Sequence, residues 1–306
     1  MRAASLLAPA ALIALVGTSP VFAETTRGDL PMPQSATLAV PGATLYYETH
    51  GKGPLLLVIP GGPQDAGVFA DLAAALADRY TVVPYDPRGN SRTTTEDAPA
   101  ELDVRQQADD AAALIRHLGG PAHVFGTSGG AQIGLDLAAR HPELVTTLVA
   151  HEPPAMMLLA DPAADIAETQ ALHELYRTQG IDAAMAAFFG GNDLDGPAAE
   201  GDAPPEFDLP PEAAETMGRV MGNFDYWLAH GMRPLSFHTP DVAALQATRV
   251  VVGISVESDG QPIARMSRAL ADALGVDPVA FPGDHVSGFD GPNAAAFAEV
   301  LDGVLR

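Results

Sequence analysis

The chain reads as an α/β protein with a mainly parallel sheet, helices on both faces, and an inserted helical cap. Three observations carry this reading. From Pro54 onward, short apolar runs alternate with helix-periodic stretches, and such alternation implies right-handed crossovers and parallel pairing. Between Pro153 and Asp241 the alternation stops, leaving helical segments around an acidic, Gly/Pro-rich loop. At Arg249 the alternation resumes and continues to the end of the chain.

Ala36–Val40 and Ala43–Thr49 alternate like two strands, and Pro41-Gly42 between them is a hairpin signal. Pro54–Ile59 is a continuous apolar run, as expected of a strand covered on both faces. Helical spacing predicts a helix over Val68–Ala77, followed by a short strand at Thr81–Pro84. A helix over Asp103–Leu118 closes at Gly119-Gly120. Next come a strand at Ala122–Phe125, a helix at Gly129–Arg140 and a strand at Leu144–His151. The inserted region predicts helices over Ala163–Thr178, Ile181–Phe189 and Pro211–Met221, with the acidic loop from Gly190 to Pro210. The last units are a strand at Arg249–Ile254, a helix at Pro262–Leu274 ending at Gly275, a strand at Pro278–Phe281 and a helix at Ala294–Leu305. The expected organisation is a core formed by residues 36–154 and 241–306, with a cap formed by residues 155–240.

With 306 residues, of which 47% are hydrophobic, the chain is long enough to bury a substantial core. The 16 basic and 39 acidic residues leave a formal charge of −23. That charge argues against nucleic acid, whose binding requires phosphate neutralisation, and against anchoring to an anionic membrane surface. Its ordinary reading is solubility. The N-terminus reads as a signal peptide over residues 1–23. Arg2 supplies the positive start, Ala3–Val16 is apolar, and Pro20-Val21-Phe22-Ala23 offers a cleavage site after Ala23. The apolar stretch is short for a membrane span, and no cysteine is present to carry a lipid. Residues 24–35 read as a polar linker. The expected product is an exported protein, periplasmic or secreted, with no stable membrane association after cleavage.

Gly126-Thr127-Ser128-Gly129-Gly130 is a Gly-x-Ser-x-Gly motif lying between a strand and a helix. A serine on a tight strand–turn–helix corner projects its hydroxyl above the sheet, and the helix N-terminus behind it favours developing negative charge. Glycine-rich chains match this motif by chance, so the strand-before, helix-after context carries the weight. Among nine histidines, His285 follows the last strand within the turn Pro282-Gly283-Asp284. A base placed there can take the serine proton and return it to a leaving group. His151, which ends a strand beside Ser128, is the second functional candidate among the histidines.

These residues resemble the α/β-hydrolase superfamily, with some likeness to proline iminopeptidases. Four segments match in order: Pro60-Gly61-Gly62-Pro63, Tyr85-Asp86-Pro87-Arg88-Gly89-Asn90-Ser91, Gly126 to Gly130, and Phe281-Pro282-Gly283-Asp284-His285. The resemblance implies a serine hydrolase acting on a carboxylic ester or related acyl bond through an acyl-enzyme. It assigns Ser128 as nucleophile, His285 as base, and the backbone N–H groups of Gly62 and Gly129 as oxyanion donors. The acid can follow the seventh strand, where Glu257 and Asp259 stand, or end the preceding strand, where Glu152 precedes Pro153-Pro154. Glu152 is preferred and Glu257 is the alternative. Many members have His-Gly where this chain has Pro60-Gly61, so the bonds bracing that loop are expected to differ. Asp86 and Arg88 are expected to brace the loop after the fourth strand.

Met156, Met157, Leu158, Phe188, Phe189, Phe224, Tyr226 and Trp227 of the cap are either core or the lining of an apolar acyl or alcohol pocket. His173-Glu174 lacks a second histidine at zinc-protease spacing, and neither a phosphate loop nor a dinucleotide fingerprint is present. No metal or organic cofactor is expected, and the expected partner is a small-molecule substrate. The alternatives are a proline iminopeptidase-like peptidase and a non-catalytic ligand-binding protein on the same fold.

Overall fold

The computed structural model describes residues 33–97, 99–190 and 210–306. The expected signal peptide, residues 24–32 of the expected linker, and all but the ends of the acidic loop lie outside the described residues. Among the described residues, no helix is long and apolar enough to cross a membrane.

The sheet contains β1 (Gln34–Val40), β2 (Ala43–Gly51), β3 (Leu55–Ile59), β4 (Thr81–Pro84), β5 (Thr94–Thr95), β6 (Ala122–Thr127), β7 (Val145–His151), β8 (Val250–Ser255) and β9 (Val279–Phe281). Their spatial order is β1-β2-β4-β3-β6-β7-β8-β9, with β5 added beside β2. Pairing is antiparallel at β1–β2, β2–β4 and β2–β5, and parallel from β4 through β3, β6, β7 and β8 to β9. The first strand takes in the last two residues of the expected linker, because Gln34 pairs with Thr49 and Ser35 with Glu48. Both residues are exposed, so backbone pairing extends this strand where side-chain burial leaves no signal.

Helices α1 (Ala70–Leu76), α2 (Val104–His117), α3 (Gly129–Arg140), α9 (Pro262–Leu274) and α10 (Ala294–Leu305) cover the sheet. Leu72 and Leu76 of α1 and Phe297 and Leu301 of α10 pack on one face with Leu56, Val58 and Phe125. Ala111 and Ile115 of α2, Leu135 of α3 and Leu270 of α9 pack on the other with Leu57, Val124 and Leu148. Local chemistry sets the helix ends. The Asp103 carboxylate accepts the Arg105 N–H at the start of α2, and Gly275 ends α9 in a left-handed conformation.

Between β7 and β8 the chain forms α4 (Ala163–Gln179), α5 (Ile181–Gly190), α6 (Pro211–Tyr226), α7 (Met232–Phe237) and the single turn α8 (Val242–Leu245). The helix expected to stop at Met221 runs on to Tyr226 and continues through a π-helical turn, Trp227–Gly231, into α7. Leu172, Ala184, Leu228 and Met232 form a small buried cluster within this region. The Asn223 amide donates to Pro63 O and accepts from the Ser91 N–H, each at 2.8 Å, and Arg219 pairs with the buried Asp65 at 2.6 Å. These bonds tie α6 to the loops beyond β3 and β4.

Candidate active site

Ser128 stands at the corner between β6 and α3 with φ +52°, a conformation that side chains rarely adopt. The corner is tight enough that a Cβ on Gly126 would lie 2.5 Å from Gly130 O. The Ser128 N–H donates to His151 O at 2.8 Å, which ties the corner to the end of β7. Glu152, just past that end, also has positive φ (+47°), and its N–H donates to Gly253 O at 3.0 Å. With Pro153-Pro154 following, this backbone turns the carboxylate back toward the sheet end, where it is fully buried.

His285 lies on the loop between β9 and α10. Its Nδ1 is 2.8 Å from Glu152 Oε2, and its Nε2 is 3.2 Å from Ser128 Oγ. The other Glu152 oxygen accepts the Ser255 N–H at 3.0 Å, so both carboxylate oxygens are engaged. Burial pushes the Glu152 carboxyl up, but the His285 hydrogen bond and the neighbouring imidazoles outweigh it and hold the group below the usual carboxylate range. The side chain of His285 stays 28% exposed, which leaves the imidazole edge accessible. The Asp284 carboxylate accepts the N–H groups of Val286 and Ser287, both at 2.8 Å, and shapes the turn that presents it.

Glu257 stands apart from this arrangement. It is exposed at the end of β8, and its N–H donates to Gly283 O. Asp259 pairs with Arg268 at the surface. The structure therefore brings Ser128, His285 and Glu152 together and leaves Glu257 outside.

Gly62 and Gly129 face each other beside Ser128, since a Cβ on Gly129 would lie 3.3 Å from Gly62 N. Gly62 has φ +44°, which favours glycine there. Among the described residues neither N–H donates a hydrogen bond to the protein, so the pair is available to a developing oxyanion. Side chains brace the loop that carries Pro60-Gly61. Gln64 Oε1 accepts the Gly61 N–H at 3.0 Å, and the Asn90 amide donates to Gly62 O and Gln64 O at 2.9 Å each. Asp86 and Arg88 act as braces. Asp86 accepts from the Ala66 N–H and from Arg92, while Arg88 makes a two-pronged pair with buried Asp110.

The roof comes from the cap. The Trp227 indole covers Gly62, its Nε1 3.2 Å from where a Cβ would be, and Leu235 of α7 packs on Gly129. Gly62, Gly129, Ile133 and Leu235 line a small chamber together with Arg88, Asn90 and Gln107. Phe188 and Phe224 pack edge-on against Trp227, at ring separations of 5.2 and 5.7 Å. The position of Trp227 in the cap is legible in the sequence, but its contact with Gly62 is not, because that contact spans the insertion. Ser255, which holds the carboxylate, carries no sequence signal, because its part is played by a backbone N–H. No group of three or more His, Cys, Asp or Glu side chains able to hold a metal ion occurs among the described residues.

Comparison with known proteins identifies the fold family. Residues 54–189 match the family model described as alpha/beta hydrolase fold. The chain is 33% identical over 260 residues to the uncharacterized hydrolase YraK of Bacillus subtilis (strain 168), covering 82% of this chain and 89% of that protein. It is 37% identical over 108 residues to the 2-(acetamidomethylene)succinate hydrolase of Mesorhizobium japonicum, 35% of this chain and 38% of that one. The crystal structure of the enol-lactonase from Burkholderia xenovorans LB400 superposes with a TM-score of 0.65 at 20% identity, covering 89% of this chain and 100% of that one. The near full-length similarity to a hydrolase, with the mainly parallel sheet and the serine corner on it, shows that this chain belongs to the α/β-hydrolase family and is a hydrolase of that fold.

Proposed function

We propose that the protein is a serine esterase that cleaves a carboxylic ester, or a related acyl bond, through an acyl-enzyme. The observation that carries the proposal is the continuous hydrogen-bonded line from Ser128 Oγ through His285 to the buried Glu152 carboxylate, with two free backbone amides alongside. Ser128 Oγ attacks the acyl carbon as its proton passes to His285 Nε2. The Gly62 and Gly129 N–H groups receive the resulting oxyanion. Collapse breaks the bond to the leaving alkoxide, which takes the proton from Nε2 and leaves the acyl group on Ser128. Water then attacks with His285 again as base, and the proton returns to Oγ as the acid departs. Glu152 stays ionised throughout, holding Nδ1–H and stabilising the imidazolium.

The roof supports an apolar acyl or alcohol group. Around the amide pair the cap presents Trp227 and Leu235, with Phe188 and Phe224 beyond. Among the described residues the side chains covering the amide pair, Trp227 and Leu235, are apolar, which suits an ester better than a substrate amine. The test is labelling by a fluorophosphonate together with turnover of nitrophenyl esters of graded chain length. Both are expected in the wild type and lost in Ser128→Ala. Labelling that survives in Ser128→Ala defeats the nucleophile assignment. Release of proline from prolyl-naphthylamide without ester turnover defeats the substrate class. Export remains our proposal for the location, resting on residues 1–23 and tested by the N-terminal sequence of the mature protein.

A further inference from the structure

The residue immediately before each of the three proposed triad members takes part in one buried hydrogen-bonded chain. Thr127 precedes Ser128, His151 precedes Glu152, and Asp284 precedes His285. Thr127 Oγ1 lies 3.0 Å from His151 Nδ1, His151 Nε2 lies 2.9 Å from Ser255 Oγ, and Ser255 Oγ lies 2.9 Å from Asp284 O. Proton counting orients the chain from its carbonyl end. Asp284 O is a carbonyl and only accepts, so the single Ser255 hydroxyl proton is committed to it. Ser255 Oγ must then accept from His151 Nε2–H, and in the neutral ring the bare Nδ1 accepts the Thr127 hydroxyl proton. The neutral imidazole therefore carries its proton on Nε2.

The surroundings favour that form. His151 is fully buried, and Thr127 and Ser255 are each 1% exposed. The rings of Phe125, Phe281, Phe289 and Phe297 surround the imidazole at 5.3–6.3 Å. Burial among them holds its pKa down to about 4. Ser255 also gives its backbone N–H to Glu152, so one residue touches both the chain and the carboxylate.

We infer that His151 is a positioning residue that keeps the segments carrying Ser128, Glu152 and His285 in mutual register. The inference rests on the serine-hydrolase reading above. A base displaced by about 1 Å can cost on the order of 100-fold in rate, and that is the scale a register-keeping group controls.

The test uses His151→Phe, which fits the aromatic surroundings but breaks the chain, and His151→Gln, whose amide can donate and accept in its place. Turnover of a nitrophenyl ester is measured per folded molecule, with folded protein quantified by near-ultraviolet circular dichroism. His151→Phe is expected to lower kcat about 100-fold at unchanged KM, and His151→Gln to recover at least about tenfold of that loss. Should His151→Phe not fold, Ser255→Ala removes both the link to the His285 loop and the acceptor of His151 Nε2–H while keeping the backbone N–H on Glu152, and is expected to lower kcat at least about tenfold, again without moving KM. Wild-type kcat in folded His151→Phe, or in Ser255→Ala, overturns the inference. Equal losses in the Phe and Gln variants overturn it too, because they would report packing alone. Ser128→Ala separates the two levels of argument. If it keeps activity, the serine-hydrolase reading fails. If it is inactive while the His151 and Ser255 variants turn over normally, only the positioning role fails.

Discussion

The floor and the roof of this cleft are built in opposite ways. The floor is the sheet end, where Thr127, His151, Glu152 and Ser255 are almost completely buried and joined by hydrogen bonds of 2.9–3.0 Å to one another or to neighbouring backbone. The roof is the cap, whose buried apolar cluster consists of Leu172, Ala184, Leu228 and Met232, while Phe188 is 43% and Phe189 63% exposed. Directional bonds in a low-dielectric floor hold atoms to fractions of an ångström. Apolar contact in the roof is graded by area and tolerates repacking. The floor should therefore govern kcat and the roof the choice of substrate.

The sharpest way to break that division is to change one floor atom. Glu152→Gln keeps the shape but presents the imidazole with the wrong partner, and kcat is expected to fall by about 10⁴-fold. Glu257→Gln, at the exposed end of β8, is expected to leave kcat unchanged. Steady-state kinetics of the two variants decide the matter, and comparable losses in both would erase the distinction between the two carboxylates.

The next effect is on stability. His151 is fully buried with its pKa pushed down to about 4 from an ordinary 6.5. Between those values the unfolded chain binds more protons than the folded one, so stability is full above pH 6.5 and falls as pH drops toward 4. The imidazole's share of that loss is about 3 kcal/mol. Glu152, whose folded carboxyl is held low, loses its stabilising contribution as pH falls further through that depressed value. Thermal unfolding across this range, in wild type and His151→Gln, is expected to show a steeper decline for the wild type. Parallel curves would mean that the buried imidazole adds nothing.

The smallest expected effect belongs to the roof. Trp227→Ala removes the indole over Gly62 and is expected to raise KM for apolar esters about tenfold, with kcat little changed. A fall in kcat at constant KM would move Trp227 from the roof to the reacting atoms.

Much of the core was legible before any coordinates. Leu55–Ile59 is apolar throughout because both faces of β3 are covered, and β4, α3, α9 and α10 fall where their periodicity and end signals place them. The helix read as Val68–Ala77 instead begins as a tight 3₁₀ turn at Ala66–Phe69, capped by Asp65. The cap was less legible. Its helix beyond Met221 continues through a π-helical turn because tertiary packing of Leu228 and Met232 overrides a weak local pattern. The two-residue β5 is set by pairing with β2, and its own residues hold no strand period.

Sequence alone determined the alternation of strands and helices, the serine corner and the late histidine, because these depend on local periodicity, glycine geometry and chain order. Which of Glu152 and Glu257 reaches His285 is set only in three dimensions. Both follow a strand and both are acidic, but a positive-φ turn and the Ser255 N–H bring one carboxylate beneath the imidazole, while the other, on a 3₁₀ turn past β8, faces solvent. The contact of Trp227 with Gly62 and the chain through His151 likewise join residues far apart in sequence, and such contacts exist only once the sheet and the cap have packed.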